Sequence, residues 1–425
     1  MKRIPIALLL IAVFAQAVDG AAAAPTQTGL LQPICKGYDG YAETFGGRRT
    51  FLLRPDWLGI LKSRGSDMPH FASARKALLA RADAALAGRV YSVVDKLKVP
   101  PSRDKHDYMS IGPYWWPDTN RPGGEPYARH DGKVNPERDS AAFDTAALEA
   151  MSASVEALAL AHYFNDDARY AQRAAQLLRV WFLEPATRMN PNAAFAQAVP
   201  GRSAGRAEGV LDTFRLLRVV EAIGLLAPSG VLTGEEQAGL EHWFSDYVTW
   251  MLTSRTGQEE GAATNNHGLW YDYQLTQYAL FARRVDVALS AVERTRSRIT
   301  MQIEPDGKMP RELQRTRALH YSVFALQAAA GVADLAGCVG KDVWHSTTPD
   351  GRGLRAAVDF LLPYVGRESQ FPYPDLKPEA SEPSFELFSR AAWGLADAKY
   401  AQAAAVLGRF NPDSAVNLTI APLSP

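Results

Sequence analysis

Two stretches decide the fold of this 425-residue chain: AATNNHGLWY at residues 262–271 and ELQRTRALHY at residues 312–321. Each stretch places polar side chains at the start of an apolar helical pattern. Asparagine suits a helix end better than a helix interior, because its amide competes for neighbouring backbone groups. We therefore expect Asn265, Asn266 and His267 to open a helix, with an amide and an imidazole at its end facing a cleft.

The second stretch adds a guanidinium and a phenol. Arg317 and Tyr321 are four residues apart, so they share one helical face if the helix has begun by residue 317. Amide, imidazole, guanidinium and phenol can together bind a carboxylate and move a proton without a metal. Because the eight histidines show no metal-ligand spacing, we expect no metal and no other cofactor.

Helical periodicity extends over most of the chain. Apolar side chains recur at spacings of three and four over much of residues 146–336, and strand-like alternation is scarce. Thr233 and Glu236 match a capping box, and Gly337 suits the C-cap of a helix that starts near Ala318. Helical pairs joined by short turns predict an all-α fold, an (α/α) toroid or incomplete barrel of helical hairpins whose inner helix ends surround a cleft.

The N-terminus has the pattern of a secretory signal peptide. Two basic residues precede the apolar run Ile4–Val18, and alanines at 21–24 offer small residues for cleavage. That run is too short for a confident membrane span, and no later uninterrupted apolar run has spanning length. We expect residues 1–24 to be removed and residues 25–425 to form a single periplasmic or secreted domain with no membrane partner.

Composition limits the partners. Lys and Arg number 46, as do Asp and Glu, which argues against a surface that coats nucleic acid. If the ligand is a polyanion, the positive charge that meets it must be local, and we expect the protein to act as a monomer. Cys35 and Cys338 can pair in an oxidising compartment or stay as separate thiols, since sequence cannot place them within bonding distance.

The first long interruption of the helical pattern, residues 102–139, is rich in proline, glycine and aromatic residues. Long loops in compact domains are usually functional or disordered, and a disordered segment would not expose Tyr114, Trp115 and Trp116 to water. These aromatics predict a platform for a sugar ring. The alternative is a loop that its tryptophans pin to the core.

Two further interruptions follow. Residues 189–206 hold Gln197, Arg202 and Arg206 among small residues, and arginine suits the recognition of a planar carboxylate. The alternative for each of these residues is an ordinary solvated loop. Residues 366–383, rich in proline and aromatics, predict a rim or packing loop.

Five motifs occur in order along the chain. They are YMSIGPYWWPD at 108–118, DGKVNPE at 131–137, LEPATRMNPN at 183–192, NNHGLWY at 265–271 and HY at 320–321. Together they resemble the motifs of the alginate-lyase-domain superfamily of polysaccharide lyases, over roughly residues 51–364. The resemblance implies an (α/α) toroid, a uronate-containing anionic polysaccharide as substrate, and β-elimination rather than hydrolysis.

The resemblance also implies four catalytic roles. The C5 proton of a uronate becomes acidic when the charge of the neighbouring carboxylate is suppressed, since abstraction drives negative charge onto that group. By resemblance Asn266 neutralises this carboxylate, and His267 is a second neutraliser or the base of an anti elimination. Arg315 is the arginine that clamps the carboxylate and lowers the pKa of the phenol, and Tyr321 is the proton shuttle.

One spacing departs from the best-known alginate lyases, in which the arginine and the tyrosine are seven residues apart. Seven residues before Tyr321 is Gln314, whereas Arg315 is six before and would point about 120° away on a continuous helix. Either Arg315 lies in a loop before the helix or Arg317 takes its role, and we predict Arg315.

Further substrate contacts are predicted within the same motifs, at Asn265, Tyr271, Arg317 and His320. A lone histidine such as His320 is more often a buried structural side chain than a catalyst. Without the resemblance, the helical spacing of Tyr321 would equally suit a core residue.

The sequence therefore predicts an exported lyase that cuts alginate at mannuronate and leaves 4,5-unsaturated ends. Glucuronan or another glucuronate glycan is the alternative substrate, because in both sugars one tyrosine can take the C5 proton and return it to O4. A hydrolase would need two carboxylates at the bond, and Glu208, Asp212, Glu259 and Glu260 lie outside the recognised catalytic motifs. A non-catalytic polysaccharide-binding protein would not need the Asn-His-Arg-Tyr set.

Overall fold

Helices dominate the computed structural model of the protein, which describes residues 33–423. Their bounds in chain order are α1 Pro55–Arg64, α2 Phe71–Ala87, α3 Thr145–Asn165, α4 Ala168–Leu178, α5 Leu216–Leu226, α6 Gly234–Thr253, α7 Arg255–Gly261, α8 Asn266–Phe281, α9 Val285–Gln302, α10 Pro310–Leu313, α11 Ala318–Ala336, α12 Leu354–Leu361, α13 Glu382–Gly394, α14 Ala398–Gly408 and α15 Val416–Thr419. The predicted signal peptide, residues 1–24, lies outside the described residues.

Several helices start and end where local sequence signals place them. The side chain of Asn265 caps α8 by accepting the N–H of His267 at 3.3 Å. Thr233 and Glu236 form the predicted capping box at the start of α6, and α11 ends just before Gly337. The polar residues of the first stretch are therefore at a helix start, as predicted.

Helices adjacent in sequence pack in pairs, such as α3 with α4, α8 with α9 and α13 with α14. The two helices that begin in the polar stretches, α8 and α11, also pack against each other. Every residue of α8 except His267 is buried, so the core lies around this pair. The predicted all-α array of helical hairpins is confirmed, and its central pair brings the two polar stretches together.

Four short strands come from the first two interruptions. Strand β1, Met109–Ile111, pairs in parallel with β4, Phe195–Ala198. Strand β2, Trp115–Trp116, pairs with β3, Ala128–Arg129, in an antiparallel ribbon. The two interruptions are therefore ordered, and β1 and β4 join one to the other.

The segment before α1 is attached to the helical array at both of its ends. Cys35 and Cys338 form a disulfide with their Cα atoms 4.5 Å apart, which settles the choice that the sequence left open. The buried carboxylate of Glu221 on α5 accepts the backbone N–H groups of residues 51–53 at 2.9 to 3.2 Å. These bonds satisfy backbone donors that would otherwise be buried without partners.

The last interruption packs on the start of α11. The carboxylate of Asp375 accepts the backbone N–H groups of Leu319 and His320, at 2.9 and 3.3 Å. This segment is therefore a packing loop that caps α11. The stretch Ala318–Val339 is long and apolar enough to cross a membrane by composition alone, but most of it is buried in the core, where a central helix needs the same composition.

Candidate active site

A cleft of about 700 Å³ opens where the starts of α8 and α11 meet. It is lined by all four residues to which the sequence assigns catalytic roles: Asn266, His267, Arg315 and Tyr321. The predicted substrate contacts that also line it are Tyr114, Trp115, Gln197, Asn265 and His320. Residues from four separate parts of the sequence thus meet in one cavity.

One side of the cleft, the amide wall, consists of Asn266 and His267 with their partners Glu312 and Glu260. Asn266 is almost fully buried, and both its backbone N–H and its side-chain amide donate to the Glu312 carboxylate at 2.7 Å. Burial raises the pKa of Glu312, although the hydrogen bonds from Asn266 oppose this. The amide is held in one orientation and keeps a second N–H for the cleft.

The imidazole of His267 is held in a similar way. Its Nδ1 lies 2.6 Å from the carboxylate of Glu260, a residue that is only 2% exposed. Burial lowers the pKa of His267, but the charge and the hydrogen bond of Glu260 outweigh burial, so the pKa is raised overall. With Nδ1 occupied, Nε2 is the ring nitrogen that remains for a ligand.

The other side of the cleft, the phenol wall, consists of Arg315 and Tyr321 with their partners Asp131 and Tyr114. Arg315 lies in the loop between α10 and α11, and its Cζ is 3.7 Å from the centroid of the Tyr321 ring. A loop position removes the angular constraint of a continuous helix, so a six-residue spacing brings the two groups together.

Arg315 is fixed by a carboxylate from the first interruption. Its Nη2 donates to Asp131 Oδ1 at 2.9 Å, its Nε donates to Oδ2 at 3.3 Å, and the hydroxyl of Thr316 adds a third bond. Burial alone would raise the pKa of Asp131, but its bonds to Arg315 lower it. Two parallel bonds to a carboxylate hold the plane of a guanidinium as well as its position.

The Tyr321 hydroxyl lies 2.6 Å from that of Tyr114. Burial raises the pKa of Tyr321, the contact with Tyr114 raises it further, and Arg315 opposes both without reversing them. Arg315 thus lowers the pKa of this phenol, as the resemblance implies, but burial and Tyr114 outweigh its effect. Burial depends on how the chain packs around α11, which sequence spacing does not show.

Two predicted substrate contacts in the interruptions lie outside the cleft lining. Trp116 donates its indole N–H to the carbonyl of Lys133 at 2.9 Å, a contact within the first interruption itself. Arg202 donates to the carbonyl of Tyr127 and stands 5.4 Å from the Trp115 ring. Successive strand residues point to opposite faces, so only Trp115 of the adjacent tryptophans lines the cleft.

Two predicted contacts near the helix starts also lie outside the cleft lining. Tyr271 is buried on α8, and its hydroxyl donates to the carbonyl of Met251 at 2.8 Å. Arg317 immediately precedes α11, forms a backbone β-bridge with Asp375 and lies outside the cleft lining, so of the two candidate arginines Arg315 is the one that lines the cleft. A motif at a helix start includes residues from every face of the helix, and only one face meets the cleft.

His320 and Gln197 line the cleft in ways that limit their chemistry. Burial and the nearby Arg317 lower the pKa of His320 to about 4, and its ring stacks on Phe324 with centroids 6.0 Å apart. It is therefore neutral at neutral pH. Gln197 donates to Asp212 at 2.9 Å and accepts from Arg206 at 2.7 Å, which fixes it in the wall.

The sequence did not indicate that three carboxylates hold the reactive groups. Glu312 opens the second polar stretch and Asp131 opens the DGKVNPE motif, so each has a position in a recognisable pattern. Glu260 is singled out by the sequence only as a carboxylate for hydrolysis. A pattern can point to such acids, but the buried group that each one contacts depends on the packing. Between residues 33 and 423, no three His, Cys, Asp or Glu side chains are grouped to hold a metal ion.

Comparison with known proteins gives the class and the family. The family model described as Alginate lyase matches residues 92–371. A solved alginate lyase from Bacteroides ovatus is 39% identical, covers 88% of this chain and 99% of its own, and superposes with a TM-score of 0.82. Alginate lyase A1-III from Sphingomonas species A1 is 15% identical over 83% of this chain and 97% of its own, with a TM-score of 0.52, and shares the fold. No curated protein matches.

Fold, cleft and comparisons together define an enzyme, a polysaccharide lyase with an (α/α) toroid fold. The chain belongs to the alginate lyase family.

Proposed function

We propose that this enzyme cleaves mannuronate-rich alginate by β-elimination and leaves a 4,5-unsaturated uronate at the new end. The observation that carries the proposal is the meeting of Asn266, His267, Arg315 and Tyr321 in one cleft. An amide and an imidazole stand ready for the carboxylate, and a phenol stands ready for the neighbouring proton. This is the set of groups that the elimination needs.

In the proposed reaction the free N–H of Asn266 donates to the uronate carboxylate, where the enolate charge develops. The oxygen of ionised Tyr321 takes the C5 proton, the C5 electron pair forms the double bond to C4, and the C4–O4 bond breaks. Tyr321 then returns the proton to O4. Arg315 beside the ring favours the ionised phenol, against the effect of burial.

His267 has two possible roles, which depend on its protonation. As an imidazolium it would neutralise the carboxylate together with Asn266. As a neutral imidazole it would remove the C5 proton in an anti elimination, as guluronate requires.

The charge of the cleft supports an anionic substrate. Arg129, Arg206, Arg311 and Arg315 line it, in a chain whose total charge is balanced. Arg311 donates to the hydroxyl of Thr264, and no ion pair among residues 33–423 compensates its charge. Glu208, Glu259 and Glu260 line the same cleft, and the other three arginines are paired with carboxylates, so the positive charge that supports a polyanion is chiefly that of Arg311.

The four carboxylates available for hydrolysis are bound by other side chains. Glu208 and Glu259 line the cleft but pair with Arg206 and Arg255. Asp212 is buried and accepts from Tyr108, Ser110 and Gln197. Glu260 is bound to His267, as described above. This favours elimination over an acid and base pair of carboxylates.

We further propose that the chain is exported, loses residues 1–24, and acts as a monomer formed by the single domain 25–425. The support is the basic, apolar and small-residue pattern of the N-terminus. Its substrate is then a polysaccharide outside the cytoplasm, with no nucleic acid or membrane as partner.

The proposal is tested by incubating the enzyme with poly-mannuronate, poly-guluronate, glucuronan and glycosaminoglycans while following absorbance at about 235 nm, where the C4–C5 double bond absorbs. We expect the fastest rise with poly-mannuronate. A faster rise with glucuronan would change the assigned substrate. New reducing ends without absorbance would replace the lyase by a hydrolase.

A further inference from the structure

The contact between Glu260 and His267 joins two helices at the edge of the cleft. Glu260 is the penultimate residue of α7, and His267 is in the first turn of α8. The His267 side chain is 19% exposed and lines the cleft, whereas that of Glu260 is 3% exposed. Glu260 also borders the cleft, but its carboxylate is the more deeply buried of the two groups and contacts Nδ1, on the opposite side of the ring from Nε2.

We propose that Glu260 is a positioning residue that keeps His267 as an imidazolium and directs its Nε2–H into the cleft, toward the carboxylate of the reacting uronate. This inference rests on the proposed lyase function and goes beyond it by choosing between the two roles of His267. A protonated ring can donate to a carboxylate but cannot accept the C5 proton.

The other charged groups around His267 leave Glu260 as its direct partner. Arg206 and Glu208 face it from the segment before α5, and they pair with each other at 3.0 Å. Glu312 faces it from α10 but accepts two hydrogen bonds from Asn266. Arg298 on α9 donates to the carbonyls of Gly261 and Ala263 beside it. Among residues 33–423, the Glu260 carboxylate is the one charged group within hydrogen-bonding distance of the ring.

The direction of the pKa of His267 agrees with this geometry. Burial favours the neutral ring, and the charge of Glu260 more than offsets it. The pKa is raised, so the charged form persists to higher pH and is lost only as the pH rises through that raised value.

A charged His267 leaves Tyr321 as the proton acceptor among the four catalytic residues. The proton would then leave C5 and return to O4 on the same side of the sugar ring. That geometry fits mannuronate and glucuronate and leaves guluronate without a base on its other side.

The test compares Glu260→Gln with a matched control, Asp342→Asn. Glutamine keeps an oxygen for Nδ1 but removes the charge. Asp342 makes the same kind of contact, 2.9 Å from Nδ1 of His345, on an exposed surface away from the cleft. Both variants are checked for folding by thermal melting before they are assayed.

The first measurement is the titration of His267 by NMR in histidine-labelled full-length protein, with its signal assigned by loss in His267→Gln. We expect Glu260→Gln to lower the midpoint of His267 by about 1 pH unit or more, and Asp342→Asn to leave it unchanged. An unmoved midpoint in Glu260→Gln would overturn the inference. This measurement needs no substrate, so it remains valid even if the proposed function fails.

The second measurement is the rate on poly-mannuronate as a function of pH. We expect Glu260→Gln to lose about 10- to 100-fold in kcat between the His267 midpoints of the two enzymes, where its ring is neutral and that of wild type is charged, and to match wild type at lower pH. A gain of activity at acidic pH would show that His267 works as a base, and a rate equal to that of Asp342→Asn would show that Glu260 has no such role. Either result overturns the inference.

If Glu260→Gln does not fold, Glu260→Asp tests the inference instead. Aspartate keeps the negative charge, but its shorter side chain holds the carboxylate farther from His267. A joint fall of the His267 midpoint and of the rate supports the inference, and a fall of one without the other overturns it. A wild-type enzyme that is inactive on every polyuronate refutes the proposed function instead.

Discussion

The two walls of the cleft are held rigid by different parts of the chain. In the amide wall, Glu260 is seven residues from His267 and Glu312 is 46 residues from Asn266. In the phenol wall, Asp131 is 184 residues from Arg315, and Tyr114 is 207 residues from Tyr321. One wall is built from neighbouring helix ends, and the other is complete only when the first interruption docks on the start of α11.

One wall is therefore set by the helical core, and the other needs a docked loop. The amide wall is part of the helical core, so its groups are in place once α8 packs. The phenol wall depends on the loop of residues 102–139, which supplies Tyr114 as the partner of Tyr321 and Asp131 as the partner of Arg315. Changes in the phenol wall should therefore alter the chemical step with the fold intact, and the following variants test this in order of expected effect.

The largest effect is expected from Tyr321→Phe. Removing the hydroxyl leaves no group to carry the C5 proton, so kcat on poly-mannuronate should fall by about 1,000-fold or more with little change in KM. The control is Tyr271→Phe, a buried tyrosine of α8 outside the cleft, which should stay active. If Tyr321→Phe keeps more than about a tenth of wild-type kcat, a group outside the phenol wall must carry the C5 proton.

The amide wall is tested by Asn266→Ala. Losing the donor that meets the developing enolate should lower kcat by about 100-fold, since a single oxyanion donor is worth that much. Asn165→Ala, which removes an amide bound to the Ala161 carbonyl on α3, serves as the control and should behave as wild type. If Asn266→Ala raises KM alone, the amide wall only binds the ground state.

Comparing Arg315→Gln with Arg317→Gln tests which of the two arginines acts on Tyr321. The first should lose about 10- to 100-fold in kcat, because it removes the cation beside the Tyr321 ring, and the second should stay within about 3-fold. Steady-state rates at about 235 nm measure both. The reverse order would return the role to Arg317.

The smallest effect on catalysis is expected from Cys35→Ser. Loss of the disulfide should lower the free energy of unfolding by about 2 to 4 kcal/mol, measured by denaturant titration, and leave kcat unchanged. Cys338→Ser and the double variant should match it, because each removes the same bond. A fall in kcat would link the far end of α11 to the phenol wall at its start.

Local sequence signals correctly predicted where several of the helices begin. Asn265 caps α8 and Thr233 caps α6, because capping depends on a few adjacent residues. The four catalytic candidates share one cleft, as the motifs indicate. Their exact roles remain predictions for the variants above to test.

What the sequence could not predict depends on distant contacts. The raised pKa of Tyr321 comes first from burial, which is set by everything that packs around α11. Tyr271 lies in the same motif as Asn266, yet it faces the core and binds Met251. Asp131 finds Arg315 across 184 positions, a distance that no periodic pattern spans.

The disulfide also sets an order of events during synthesis. Cys35 leaves the ribosome early, but its partner lies 303 positions later, beyond the residues that form the first eleven helices. The N-terminal segment of the described residues is translated first, but its disulfide can form only late in synthesis. A nascent chain must keep that thiol unpaired until the central helix has been made.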